Sequence, residues 1–134
     1  MEIRSSINTL FRGKRTDNGE WVYGTPIFQD AYTLIRFWNS EEFKFEEYLV
    51  APETVSQYTV TIDKNNKRIF EGDVVLYLWN NDKYERFYIA YVKGEFLAVP
   101  VRCATDIWPI RISGYNEQFD IIGNIYDNPQ LVKK

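Results

Sequence analysis

The sequence predicts a mainly β fold, α+β at most: a small barrel- or sandwich-like domain built from short antiparallel strands and hairpins. Phenylalanine, tyrosine and tryptophan make up 17% of the chain, and these residues favour pleated, half-buried surfaces. Segments such as YTVTI and FYIAYV alternate or concentrate β-branched and aromatic side chains over strand lengths. Between them recur turn-forming groups: Asp17-Asn18-Gly19, Asn65-Asn66 and Lys93-Gly94. Short strands at such close intervals close into barrels or stack into sandwiches.

Strands near residues 9–13 and 20–24 flank Asp17-Asn18-Gly19, whose residues accept the positive φ angles of a tight hairpin turn. AYTLIRFWN, 31–39, is the next strand. SEEFKFEEYL, 40–49, reads both ways. Ser40 before two glutamates is a helix start, and Phe45, Tyr48 and Leu49 recur at helical spacing, while Phe43 and Phe45 alternate as in a strand. Pro52-Glu53 suits a short helical turn. Tyr58, Val60 and Ile62 then fall on one face, with Thr59 and Thr61 on the other. After Asn65-Asn66 the chain returns over 67–70, Gly72 breaks the pattern, and 74–79 is the following strand. YERFYIAYV, Lys93-Gly94 and EFLAVPV make another hairpin. Trp108, Ile110 and Ile112 share a face opposite Arg111 and Ser113, and FDIIGNIY, 119–126, is the last strand.

A chain of 134 residues buries about two-thirds of its unfolded surface without a metal or disulfide staple. No repeat or linker-like tract divides it, so one domain, 1–134, is expected. The opening MEIRSSINTLFRGKR lacks the apolar run of a signal peptide, and Cys103 is the single cysteine; both point to a cytoplasmic protein. No apolar stretch approaches the roughly 20 residues of a membrane span, so no membrane partner is expected. The net charge of −3 gives no overall positive field to gather nucleic acid.

Histidine is absent, which removes the commonest general acid–base near neutral pH and any histidine-dependent triad. Cys103, in VPVRCATD, reads as an inert packing residue. Zinc needs several cysteine or histidine ligands, and neither GxGxxG nor GxxxxGK[ST] occurs. Asp63, Glu71 and Asp73 remain as oxygen ligands suited to magnesium or calcium. Lys67 and Arg68, however, fall where a calcium loop needs a ligand and a glycine, so the trio reads as hairpin grammar. No catalytic residue, metal or cofactor is expected. Two basic clusters, Arg12/Lys14/Arg15 and Lys64/Lys67/Arg68, lie at predicted turns beside Phe11, Trp21 and Phe70, where they are candidates to hold a nucleic acid backbone while aromatics stack on bases. Solvation of hairpin tips is the commoner use of such charges.

FRGKRTDNGEWVYG, PETVSQYT, DKNNKRIFEGDVV and IIGNIYDNPQLV occur in this order and cover about a third of the chain. Together they resemble the YopX family of small proteins carried by bacteriophages and prophages. The resemblance implies motif residues of structural use at Trp21, Gly24, Asp63, Glu71, Gly72, Asp73, Gly123, Asn124 and Tyr126. It also implies a phage or prophage origin, a bacterial cytoplasmic location and self-association, with no known catalytic residues. Asn65-Asn66 stands where such a block carries Asn-Gly; asparagine tolerates the left-handed conformation, so the hairpin is expected to form with some local strain.

The function expected first is a non-enzymatic, phage- or prophage-encoded interaction or assembly protein, homo-oligomeric, with a phage or host protein partner. The alternative is a nucleic-acid-binding module with an SH3-like barrel, suggested by EGDVV followed by a strand and hairpin, a likeness of fold only. A carboxylate–metal enzyme built on Asp63, Glu71 and Asp73 ranks last.

Overall fold

The computed structural model describes residues 10–80, 83–113 and 118–133. The expected start of the first strand at residue 9, and the leader reading of the N-terminus, lie outside them. The fold is mainly β, with two antiparallel sheets of short strands. The chain forms two compact units, Met1–Tyr58 and Thr59–Lys134.

The first unit contains β1 (Phe11–Lys14), β2 (Trp21–Phe28), β3 (Thr33–Asn39), β4 (Lys44–Val50) and the start of β5 (Ser56–Ile62), in the order β4-β3-β2-β1-β5. The β1–β2 turn closes through the Arg15 N–H on the Glu20 carbonyl at 2.8 Å. Its positive φ falls on Gly19 alone, at 74°. The end of β4 comes back to the end of β1. Arg15 bridges Val50, the Thr16 N–H donates to Leu49 at 3.1 Å, and the Ala51 N–H donates to Lys14 at 2.8 Å. The four strands thereby close on themselves around buried Ile35 and Val50, as small barrels do to remove free edges.

Residues 40–49 are not helical. Ser40 to Phe43 form a turn and β4 follows. The Asn39 side-chain oxygen accepts the Glu41 and Glu42 N–H groups at 3.0 and 3.1 Å, a local bond that competes with helix start. Full-length pairing of β4 with β3, from Thr33↔Val50 to Asn39↔Lys44, then decides for strand. Pro52–Thr54 forms the expected short helical turn.

The second unit holds the end of β5, then β6 (Arg68–Phe70), β7 (Asp73–Asn80), β8 (Lys83–Val92), β9 (Glu95–Pro100), β10 (Ile110–Arg111) and β11 (Phe119–Asn124). Five of these form a sheet in the order β10-β9-β8-β7-β11. Ile69, Val75, Phe87, Ile89, Ala98 and Phe119 make its core, with the Tyr77 ring 5.6 Å from Phe87 and 5.2 Å from Phe119. Lys93 and Gly94 both have positive φ, 51° and 87°, as a two-residue turn with the twist of its strands requires. No helix among the described residues is long and apolar enough to cross a membrane.

The alternation read from Tyr58 to Ile62 breaks at Val60, whose φ of 66° turns it outward, so neighbouring Tyr58 and Thr59 are both buried. Val74 and Val75 are likewise both buried, and the face of β7 that meets the core is that of Val75 and Tyr77. Trp108 does not share an inner face with Ile112: it is 65% exposed while Ile112 is buried. The last strand stops at Asn124, two residues short of the expected end, because Asn124 opens a side-chain-capped turn leading to the 3-10 turn Pro129–Val132.

Candidate functional site

The central and terminal motifs meet in one place. Asp63, 1% exposed, accepts the Asn65 and Lys67 N–H groups on Oδ1 at 2.8 and 2.9 Å and the Ile121 N–H on Oδ2 at 3.1 Å. Asn66 at φ 65° completes this turn, so asparagine takes the position expected of glycine. Buried Asp73 accepts the Phe70 N–H at 2.8 Å and stands opposite Asn124 in the β7–β11 register. Gly72, at φ 90°, donates its N–H to Ile89 and accepts that of Ile125, at 2.8 and 2.9 Å. A Cβ there would lie 2.9 Å from Tyr126 Cε2.

Asn124 Oδ1 accepts the Tyr126 and Asp127 N–H groups at 3.0 and 2.8 Å, and Nδ2 donates to Asp127 Oδ2 at 3.1 Å. Gly123 has the Asn128 side chain where a Cβ would go. Glu71 is half-buried beside Gly72. These residues fasten turns to strands. Among the described residues no three His, Cys, Asp or Glu side chains are grouped to hold a metal ion.

The two basic clusters differ. Arg12 is 6% exposed, its guanidinium 4.3 Å above the Trp21 ring, and Lys14 Nζ is 5.9 Å from the same ring. Arg15 grips Asp17 through two bonds of 2.9 and 2.6 Å and lies 4.0 Å over Tyr48. That hydrogen bond pushes the Arg15 pKa up and the Asp17 carboxyl down. Lys64, Lys67 and Arg68 are exposed, with Lys64 Nζ 3.7 Å from Asp120. Gly24 faces Phe11 in the β1–β2 register and leaves no room for a Cβ beneath the Arg36 carbonyl.

Two surfaces escaped the sequence reading. On the outer face of the β3–β4 hairpin, Trp38 and Phe45 are directly paired, their rings 4.9 Å apart, and Phe43 in the turn places its ring 5.1 Å from Trp38. Arg36 sits 4.1 Å over Phe45 and 3.6 Å from Glu47. All three rings are exposed, Phe43 by 81%. In the second unit an apolar groove of about 630 Å³ is lined by Pro100, Val101, Ala104, Ile107, Trp108 and Ile125. Cys103, expected to be packed inside, is exposed on its wall, because β9 ends at Pro100 and the chain leaves the sheet. Outward-facing aromatics on a strand look in sequence like core residues; the register alone separates them.

Fold and motifs together define a mainly β protein of two units whose signature residues secure turns. The family model described as "YopX protein" matches residues 10–133, and the chain belongs to the YopX family. Among solved structures it is similar to the crystal structure of protein EF1440 from Enterococcus faecalis. The TM-score is 0.54 and the identity 23%, covering 92% of this chain and 96% of that one, a likeness of fold. Comparison with curated proteins finds no match.

Proposed function

We propose that the chain is a non-enzymatic interaction or assembly protein of phage or prophage origin that acts as a homo-oligomer. The supporting observation is the exposed aromatic cluster Trp38, Phe43 and Phe45. Aromatic side chains are enriched at protein interfaces, and a contiguous exposed apolar patch marks an interaction surface. Light scattering coupled to gel filtration tests this: the mass should exceed the 16.0 kDa of one chain. A monomeric mass throughout the micromolar range would count against it. Affinity recovery from prophage-bearing cells should return protein partners.

Nucleic acid binding draws less support. Arg12 is buried over Trp21 and Arg15 is held by Asp17. That leaves Lys64, Lys67 and Arg68 as the accessible cluster, and Asp120 stands beside Lys64.

A further inference from the structure

We infer that copies of this chain join head to tail, the β3–β4 hairpin tip of one copy seating Phe43 in the apolar groove of its neighbour's second unit. This rests on the homo-oligomeric reading and names its two surfaces. The tip is the most exposed aromatic group in the described residues, Phe43 at 81%, held forward by its edge contact with Trp38. Phe43 has φ 54°, a conformation that costs a bulky residue energy and that glycine would adopt freely. The tip carries an acidic excess: between residues 36 and 47 stand Glu41, Glu42, Glu46 and Glu47 against Arg36 and Lys44, with Lys44 3.1 Å from Glu42 and Arg36 3.6 Å from Glu47.

The groove has the complementary character. Its volume of about 630 Å³ lies within the roughly 300–1,000 Å³ of clefts that enclose a ligand group. An adjoining hollow shares Val101, Arg102 and Cys103 and adds Glu85, Arg86 and Lys133. Arg102 is occupied by Glu85 and Asp106, at 2.6 and 3.5 Å. Arg86 and Lys133 form no ion pair among the described residues. An aromatic knob flanked by carboxylates therefore meets an apolar slot flanked by cations. Such charge pairing steers and orients association. Because knob and slot are different patches, the contact is heterologous, and it closes a ring or extends a filament.

The test uses the full chain and two variants on exposed or half-exposed positions: Phe43→Ala, which removes the knob, and R86E/K133E, which reverses the slot's charge. Each alone is expected to weaken self-association roughly 30-fold, the effect of losing a hot-spot anchor, with the circular dichroism of the wild type retained. Mixed in equal amounts, the two variants should recover a one-to-one pair, because the first keeps an intact groove and the second an intact tip. E41K/E42K should restore binding to R86E/K133E. Several results would overturn the inference while leaving the oligomer standing: variants that keep the wild-type mass, a mixture that stays monomeric, or an effect of Phe43→Ala without one of R86E/K133E, which means that two tips pair with each other. A wild type that is itself monomeric removes the homo-oligomer and this contact together.

Discussion

At Asp63 one carboxylate satisfies three backbone N–H groups, two from its own turn and one from β11. Asp63→Ala removes the acceptor of these three part-buried donors at once, so a loss of about 1–3 kcal/mol is expected in urea unfolding, with Asp63→Asn milder. Millimolar magnesium or calcium should leave the melting temperature unchanged, since a cation would have to displace those donors. Gly72→Ala meets two obstacles, φ 90° and the Tyr126 ring at 2.9 Å, and should cost about 1–3 kcal/mol by the same measurement. The turn at Asp63 was legible because aspartate bonds to N–H groups two and four residues ahead, a local habit. Its bond to Ile121 was not, because it joins positions 58 residues apart and no local pattern records such a partner.

Within the β3–β4 hairpin, the Asn39 amide and the Tyr48 hydroxyl, at 2.9 Å, both donate to Glu46. The Asn39 bond first, then that from Tyr48, lowers the Glu46 pKa from its ordinary 4.5. A carboxyl depressed by folding adds stability above its unfolded value and loses it as pH falls through its folded value. The hydrogen-exchange protection factors of the β3 and β4 amides should therefore fall below about pH 4.5, and Glu46→Gln should flatten that dependence. Strand-forming residues were readable in β2, β7 and β8, where aromatic and β-branched side chains cluster. Residues 40–49 were not, because glutamates and phenylalanines satisfy both periods and only pairing with β3 chooses. Val60 shows the complementary failure: the alternation was present in the residues, and a left-handed backbone cancelled it.

Over the whole chain, apolar and charged groups are divided unequally. Residues 10–58 carry five basic and eight acidic side chains, together with the exposed Trp38, Phe43 and Phe45. Duplex DNA binding at physiological salt should accordingly be weak, and neutralising Lys64, Lys67 and Arg68 should change a gel-shift titration little. Composition disclosed the β class and the surplus of aromatics. It was silent on which rings would face outward, because that follows from register and from where each strand ends.

The pairing of β11 with β7 also sets a timetable during translation. Every strand pair of the closed β1–β4 sheet is available once residue 51 has cleared the ribosome, whereas β7 keeps one edge open until residues 119–124 arrive. Open strand edges recruit other chains. Nascent chains arrested with residue 105 clear of the exit tunnel should therefore coaggregate, while those arrested with only residue 60 clear should stay dispersed. Slow codons are tolerable before β7 is made and hazardous between β9 and β11.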